Sequence, residues 1–304
     1  MKTQNLGRSG LEVPVIAVGC MRINTIDKKE ADRFAKTALD LGANFFDNAD
    51  VYGDGACEEI FSTALTKVRR EDVFIQTKCG IRKGFAFDFS KNHILKAVEG
   101  SLKRLRTDYI DVLLLHRPDI LVEPEEVAAA FGALQASGKV RYFGVSNQNP
   151  LQIELLTKYV KQPIVANQLQ FSVTHATMVT EGLHVNMLDD GAVDRTGGIL
   201  DYCRLKDITV QAWSPFQYGF FEGVFLGSPK FPALNAKIDE IAEKYGVSNT
   251  AIAIAWILRH PAKIQVVTGT MKPERLKDCV KGSEICLTRD EWYAIYLAAG
   301  NILP

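Results

Sequence analysis

Four residues with complementary proton-transfer chemistry occur at, or just after, the ends of three apolar runs. The stretch "NFFDNADVYGDG" (44–55) contains Asp47 and Tyr52. The run "VFIQTK" ends in Lys78, and the run "DVLLLH" ends in His116. Each has an ordinary explanation alone: a terminal lysine usually extends to solvent, a histidine is often a satisfied structural group, an aspartate can cap a turn, and a tyrosine can lie on a rim. Their joint occurrence is what needs an explanation.

Together, these side chains could deliver a proton to a substrate oxygen. A free tyrosine titrates near pH 10, which makes it a poor donor at neutral pH. A lysine ammonium beside the phenol favours the phenolate and would lower the pKa of Tyr52. Asp47 paired with Lys78 would keep that ammonium charged and in place, and His116 could donate a hydrogen bond that orients a carbonyl. The set suits proton transfer to an oxygen whose carbon receives a hydride.

Short apolar runs recur along the chain, with helical patterns between them. Each run is almost continuously apolar instead of alternating, as expected of strands buried on both faces of a parallel sheet. Eight such runs are predicted strands, and they span residues 13–20, 44–48, 73–79, 111–116, 141–147, 164–171, 208–213 and 264–269.

Amphipathic segments between the runs predict helices that cover the sheet. Segments 28–42 and 91–107 repeat apolar residues at helical spacing, and segment 124–139 has proline and glutamate at its start and glycine near its end. Eight strands alternating with helices predict an α/β fold, a (β/α)₈ TIM barrel, with residues 1–304 forming a single domain. An open α/β sheet is the alternative, although no G-x-G-x-x-G sequence follows an early strand.

The predicted barrel would bring the four candidate residues together. In such barrels the C-terminal ends of the strands converge on one mouth, where active sites are built. Asp47, Lys78 and His116 end three consecutive predicted strands, and Tyr52 lies in the loop after the first of them. Two long segments, residues 171–199 and 214–233, also follow strands, and we expect them to act as binding loops on the same face.

Composition and charge limit the expected partners. Lys plus Arg and Asp plus Glu each number 36 among 304 residues, so the formal net charge is zero, and neither nucleic acid nor an anionic membrane is expected to bind. The N-terminus lacks a signal-peptide core, and no run approaches the roughly 18 apolar residues of a membrane-spanning helix. The six cysteines show no CxxC spacing and the five histidines no metal-binding spacing. We expect a cytoplasmic protein without a metal site, monomeric by default because a chain of this size can bury its own core.

The residues resemble those of the aldo/keto reductase family. "FDNADVYGDG" is similar to the family's first signature, and "LGRSGLEVP", "LLHRPD", "GVSN", "NQLQFS" and "VVTGTMKPERL" extend the resemblance over the whole chain. The segment after "NQLQFS" and the ending "LTRDEWYAIYLAAG" resemble a bacterial oxidoreductase branch. The resemblance implies that Asp47, Tyr52, Lys78 and His116 form a catalytic tetrad. It also implies reduction of an aldehyde or ketone by a nicotinamide cofactor.

The segment "TGTMKPERLKD" (268–278) follows the last predicted strand and opens a helix. Backbone N–H groups at a helix start favour an anion, and Thr270, Lys272 and Arg275 add a hydroxyl and two cations. A threonine-capped helix with a solvated basic face is the alternative. The resemblance implies that this segment, with Asp278, holds the 2′-phosphate side of a non-covalently bound NADP(H).

Further cofactor contacts follow from the resemblance position by position. Ser146, Asn147 and Gln168 would bind the nicotinamide carboxamide, and Trp213 would stack on the nicotinamide ring. Ser214 and Gly219 would lie along the pyrophosphate, and Met21 would border the cofactor or the substrate.

The chain also departs from the family pattern in the cofactor segment. Gly269 stands where the family often has a lysine, and Cys279 stands where it often has an adenine-contacting asparagine. Lys272 and Arg275 would then carry the positive charge at this site. Both departures leave NAD(H) use open.

Two other functions are compatible with the same residues. An aldolase could use Lys78 as a Schiff base, but such a lysine must be neutral, and Asp47 favours an ammonium. The other is a sensor that binds NADPH and has a slow reductase site, since some members of the family act as cofactor-bound regulatory subunits. The sequence predicts neither the physiological substrate nor the conformations of residues 171–199 and 214–233.

Overall fold

Strands and helices alternate along the computed structural model, which describes residues 1–66 and 68–304. In chain order, the strands are β1 (Thr3–Asn5), β2 (Glu12–Pro14), β3 (Ile16–Gly19), β4 (Phe45–Asp47), β5 (Phe74–Cys79), β6 (Ile81–Arg82), β7 (Ala86–Phe87), β8 (Ile110–Leu115), β9 (Val140–Ser146), β10 (Ile164–Gln170), β11 (Thr209–Trp213), β12 (Gln217–Tyr218), β13 (Gly223–Val224) and β14 (Gln265–Thr268). The helices are α1 (Lys28–Asp40), α2 (Ala56–Ala64), α3 (Lys91–Leu105), α4 (Pro124–Ala136), α5 (Pro150–Thr157), α6 (Thr177–Leu183), α7 (Ile199–Leu205), α8 (Pro232–Tyr245), α9 (Asn249–Leu258), α10 (Pro273–Gly282) and α11 (Arg289–Ala298).

Eight parallel strands form a closed barrel. Their order around the barrel is β3, β4, β5, β8, β9, β10, β11 and β14, and β14 pairs with β3 to close it. Each of the eight predicted runs contributes one barrel strand. The predicted (β/α)₈ fold is therefore confirmed, and the alternative of an open sheet is wrong.

The first predicted strand, residues 13–20, is divided in the structure. Its beginning belongs to β2, which pairs with β1 in an antiparallel hairpin, and only β3 enters the barrel. Leu6, in the hairpin loop, and Val13 are fully buried and pack with Phe45 and Val112, which lie near the starts of barrel strands. Apolar burial of this kind stabilises by roughly 25 cal/mol per Å². The hairpin thus covers the N-terminal end of the barrel and leaves the C-terminal end open.

The predicted helices form with recognisable start and stop signals. Asp27 and Glu30 make a reciprocal capping box at the start of α1, and α1 buries Phe34 against the barrel. Ser90 caps the first turn of α3, which ends where Arg106 adopts a left-handed conformation with φ 52°. The helices end two or three residues before the predicted bounds because Gly42, Arg106 and Gly138, which lie just after their ends, adopt left-handed conformations.

The two long segments on the C-terminal face have some structure of their own. Segment 171–199 contains α6, and segment 214–233 contains the short hairpin β12–β13. In the part of the chain that the structure describes, no helix has the length and apolar character needed to cross a membrane.

Candidate active site

The C-terminal ends of three neighbouring strands bring the four candidate residues together. Asp47 is the last residue of β4, Lys78 lies one residue before the end of β5, and His116 directly follows β8. The Lys78 Nζ atom lies 2.8 Å from each Asp47 carboxylate oxygen and 3.2 Å from the Tyr52 hydroxyl. The rings of Tyr52 and His116 meet edge to face with centroids 5.7 Å apart. The predicted convergence is therefore present as a contiguous set of contacts.

A tight turn after β4 directs Tyr52 toward Lys78. The 3₁₀ turn Tyr52–Gly55 contains a run of left-handed residues: Gly53 at φ 56°, Asp54 at φ 55° and Gly55 at φ 95°. Glycine adopts positive φ without the steric cost that a Cβ imposes. The glycines in "YGDG" thus let the chain reverse within one turn, which keeps the phenol over the end of β5.

Asp47 and Lys78 form a buried ion pair that has further hydrogen bonds. Lys78 is 0% exposed and Asp47 is 2% exposed. Lys78 also donates to the Asn48 carbonyl at 2.8 Å, and Asp47 accepts from the amides of Gln76 at 2.6 Å and Gln168 at 3.1 Å. Burial acts to lower the pKa of Lys78, but Asp47 and Tyr52 raise it above its ordinary value overall. Lys78 is therefore an ammonium at neutral pH, as buried charges require pairing.

Burial and the Lys78 ammonium act in opposite directions on the pKa of Tyr52. Burial raises the pKa of the Tyr52 phenol, and although Lys78 acts to lower it, the net pKa lies above the ordinary value of 10.0. The lowering by Lys78 that the sequence predicts is present, but desolvation of the phenol outweighs it. Tyr52 thus holds its proton at neutral pH, and the ammonium stabilises the phenolate that forms when the proton leaves.

His116 is neutral at physiological pH. Burial, with the nearby cations Lys78 and Arg117, places the pKa of the His116 imidazole well below its ordinary value. Within residues 1–66 and 68–304, its buried Nδ1 atom has no hydrogen-bond partner. A neutral imidazole can donate one hydrogen bond, which suits the polarisation of a carbonyl oxygen without supplying a full charge.

A second acidic group lies beside this set. Burial and the neighbouring Glu58 carboxylate raise the pKa of Asp50 to about 7, while Arg104 and Lys78 act to lower it. Its buried Oδ1 atom has no hydrogen-bond partner among the described residues. Glu58, in contrast, accepts from Arg104 at 2.8 Å and from Thr77 at 2.6 Å.

A cleft of about 1280 Å³ extends from Asp47, Tyr52 and His116 to the start of α10. Ten of the eleven predicted cofactor residues line it: Met21, Ser146, Asn147, Gln168, Trp213, Ser214, Thr270, Lys272, Arg275 and Asp278. Gly219 does not line the cleft. It lies in the turn between β12 and β13, and its carbonyl accepts a hydrogen bond from Gln170 at 2.7 Å.

The backbone is strained at two of the residues that line the cleft. Asn147 has φ 56° and Ser214 has φ 52°, although neither is glycine. Such conformations persist only where the surrounding structure enforces them, and they are common at binding sites. The Asn147 amide donates to the Ser146 hydroxyl at 2.7 Å and accepts from the Trp213 indole at 3.3 Å. These contacts fix an amide, a hydroxyl and an indole in one patch of the cleft wall.

The start of α10 provides unsatisfied backbone donors at the other end of the cleft. Lys272 is the N-cap residue and makes no side-chain capping bond, and Pro273 occupies the first turn. The alternative of a threonine-capped helix is therefore wrong. The Thr270 hydroxyl instead accepts from the Lys272 backbone N–H at 3.1 Å. Uncapped N–H groups together with the helix dipole favour an anion here.

Arg22 is a cation in this cleft that the sequence reasoning missed. It follows β3, and its Nη1 atom donates to the Gly269 carbonyl at 3.3 Å. A Cβ atom added at Gly269 would lie 2.6 Å from that same nitrogen. Arg22 thus occupies the space that a side chain at position 269 would need. The predicted closure of the barrel could have revealed Arg22, because closure places the residues after the first and last strands side by side.

The chain belongs to the aldo/keto reductase family, whose sequence profile matches residues 15–297. It is 36% identical to the oxidoreductase YcsN of Bacillus subtilis over 92% of both chains. It is 35% identical to a 6-dehydroglucose reductase of Agrobacterium fabrum over 95% of both chains. Its fold is similar to that of the thermostable aldo-keto reductase Tm1743, solved with the inhibitor epalrestat, with a TM-score of 0.80 and 28% identity over 98% of this chain and 100% of that one. The predicted family and its bacterial oxidoreductase relatives are confirmed.

Proposed function

We propose that this protein reduces an aldehyde or ketone to an alcohol with NADPH as the reductant. The observation that carries the proposal is the buried chain Asp47–Lys78–Tyr52, which ends in a protonated phenol that lines the cleft. The cleft residues fit a dinucleotide, because fixed amide donors line one end and an uncapped, basic helix start lines the other. When bound, NADPH supplies a hydride from C4 of its nicotinamide ring.

Each of the four central residues has one role in this proposal. Tyr52 donates its hydroxyl proton to the substrate oxygen. Lys78 stabilises the phenolate that remains, and Asp47 keeps Lys78 charged and in place. His116 donates a hydrogen bond that orients the carbonyl. Positioned acid catalysis of this kind contributes typically 10²–10⁴-fold to the rate.

The remaining residues bind the cofactor. Ser146, Asn147 and Gln168 hold the carboxamide and Trp213 stacks on the ring, with Met21 at the edge and Ser214 on the pyrophosphate side. Gly219 has no contact with the cofactor in this proposal because it lies outside the cleft. At the other end, Thr270, Lys272, Arg275 and Asp278 surround the adenosine ribose and its 2′-phosphate.

Arg22 supplies the positive charge that a side chain at Gly269 would otherwise supply, since its guanidinium occupies that space. The cationic setting favours NADPH over NADH. We propose the cytoplasm as the compartment, in keeping with six free cysteines.

The contacts of Lys78 weigh against a Schiff-base aldolase. Its Nζ atom is fully buried and contacts Asp47, the Asn48 carbonyl and Tyr52, which together use its three donors. An amine nucleophile must instead be neutral and open to its substrate.

The variant Tyr52→Phe tests the proposal because it removes one hydroxyl and keeps the ring. We expect turnover of an aldehyde, measured as NADPH oxidation at 340 nm, to fall at least 100-fold, whereas the Kd for NADPH, measured by fluorescence titration, changes less than threefold. Retained turnover would overturn the role of Tyr52. Loss of turnover together with NADPH binding would assign Tyr52 to cofactor binding or folding instead.

A further inference from the structure

A second cavity adjoins the proposed hydride-transfer site. It has a volume of about 290 Å³ and shares Arg117, Asn147, Trp213 and Phe220 with the large cleft. Its remaining wall comes from residues 148–149, the end of β10 and the segment that contains α6. Asn147 and Trp213 are the residues proposed to contact the nicotinamide, so a substrate whose carbonyl lies beside Tyr52 and His116 could extend from there into this cavity.

The lining of the cavity is cationic and contains no carboxylate. Two arginines, Arg117 and Arg195, line it, and among the residues that the structure describes no aspartate or glutamate does. His175 also lines the cavity, and burial lowers the pKa of its imidazole, which favours the neutral form. The other polar members are amides and hydroxyls, such as Gln170 and Thr196. The Glu181 carboxylate lies behind this wall, where it accepts from the Thr196 hydroxyl and the Arg195 backbone N–H. The two guanidinium groups leave the lining itself positively charged, which is complementary to an anion.

Arg117 is the residue of this cavity whose environment most favours an anion. It directly follows His116, is half-buried, and lies with its guanidinium carbon 5.7 Å from the ring of Trp213 and 5.8 Å from the ring of Phe220. Within residues 1–66 and 68–304, its side chain forms no ion pair and no hydrogen bond. Stacking on aromatic rings only partly replaces hydration, so a half-buried guanidinium without a counter-ion gains from binding an anion.

Arg195 reaches the same cavity from the opposite wall. Its Nη1 atom donates to the carbonyls of Asp190 and Val193, each at 3.3 Å, and its backbone N–H donates to Glu181 at 3.2 Å. These bonds hold the loop in place, and its guanidinium also forms no ion pair among the described residues. Two guanidinium groups that have no counter-ion in the described part of the chain therefore border one small cavity.

We infer that this cavity binds the anionic end group, a carboxylate or a phosphomonoester, of a short hydroxylated carbonyl substrate. The inference rests on the proposed function, because it places the carbonyl of the same molecule beside Tyr52. Arginine suits both groups because its planar fork of donors matches their oxygens. The amide and hydroxyl side chains of the lining can bind hydroxyl groups between the carbonyl and the anion.

Matched aldehyde pairs test the inference. D-glucuronate and D-glucose differ by a carboxylate, and glyceraldehyde 3-phosphate and glyceraldehyde differ by a phosphate. We expect kcat/KM to be at least tenfold higher for the anionic member of one pair, and which pair responds identifies the anion. In Arg117→Gln, the ratio of anionic to neutral kcat/KM should fall to within threefold of one. Arg289→Gln removes the same charge from an exposed site on α11 and should leave the ratio unchanged.

A binding measurement separates this inference from the proposed function. Succinate is not a carbonyl substrate, and calorimetry should show that it binds wild type at least tenfold more tightly than Arg117→Gln. If no aldehyde is reduced but succinate binding depends on Arg117, the proposed function fails and the anion site stands. If both members of each pair react equally well in wild type and Arg117→Gln, or if Arg289→Gln lowers the ratio as much, the anion site is refuted.

Discussion

The variant Lys78→Met should destabilise the fold because it leaves a buried carboxylate, that of Asp47, without its charged partner. Lys78 lies 2.8 Å from both Asp47 oxygens, and the two side chains are almost completely buried. Methionine fills a similar volume but carries no charge. In the variant, Asp47 would retain only the amide donors of Gln76 and Gln168.

The size of the expected destabilisation follows from the burial of the Asp47–Lys78 ion pair. At 2.8 Å, two unit charges interact by about 6 kcal/mol at an effective dielectric constant of about 20. The desolvation of both ions offsets much of this energy, but removing one partner of a buried pair typically costs about 3–5 kcal/mol. We expect a loss in that range for Lys78→Met, against a total stability of roughly 5–15 kcal/mol for a folded protein.

The chain offers a matched control for this measurement. Lys83 contacts Asp54 at the same 2.8 Å distance, but their side chains are 65% and 71% exposed. Exposed pairs contribute about 0–1 kcal/mol, so Lys83→Met should cost less than 1 kcal/mol. Urea unfolding followed by circular dichroism would give the free energy of unfolding of the three proteins at pH 8 and pH 5.

The pH dependence provides a second check of the same reasoning. The raised pKa of Lys78 means that its stabilisation of wild type is fully present below about pH 10 and is lost only at higher pH. In Lys78→Met, protonation of the stranded carboxylate relieves the penalty, so the deficit should shrink between pH 8 and pH 5. A deficit below 1 kcal/mol at pH 8, or one equal to that of Lys83→Met, would refute the proposed role of burial.

Three further predictions concern other parts of the molecule. The pKa of Asp50 is about 7 in the folded protein, so ionisation of its carboxyl group lowers stability as pH rises from about 4 through 7. Asp50→Asn should therefore raise the melting temperature relative to wild type more at pH 8 than at pH 5. An equal difference at both pH values would contradict this. Arg22→Met should weaken NADPH binding roughly 10- to 150-fold more than NADH binding in fluorescence titrations, as the loss of a charged contact of about 1.5–3 kcal/mol implies. An equal loss for both cofactors would exclude a contact with the 2′-phosphate. Gly80→Ala should lower the free energy of unfolding by roughly 2–4 kcal/mol in urea, because Gly80 has φ 104° and an added Cβ would lie 2.3 Å from the Phe89 ring. Gly84→Ala, at φ 68° with nothing within 4 Å, should lower it by only about 1 kcal/mol. Similar losses for the two variants would show that the Phe89 contact is unimportant.

The features that were predictable from the sequence are those in which local pattern determines structure. Continuous apolar runs gave all eight barrel strands because a barrel strand is buried on both faces wherever it lies. Strand ends in a closed barrel share one mouth, so Asp47, Lys78 and His116 could be placed together without any knowledge of distances. Tyr52 followed because the glycines after it require a turn.

The features that were missed depend on contacts between distant parts of the chain. Residues 13–20 are divided between β2 and β3 because β2 belongs to the hairpin that covers the N-terminal end of the barrel. The sequence of that run alone does not reveal the division. Arg22 occupies the space beside Gly269 only because β14 pairs with β3. The net pKa of Tyr52 depends on its depth of burial, which spacing does not reveal.

The most direct test of the proposed function follows the hydride itself. NADPH dideuterated at C4 would be incubated with the protein and an aldehyde, and the alcohol would be analysed by mass spectrometry. We predict one deuterium in each product molecule, on the former carbonyl carbon, and no such product with Tyr52→Phe under the same conditions. Alcohol that forms without deuterium, or no alcohol from any aldehyde by a protein that binds NADPH, would contradict the proposal of a carbonyl reductase.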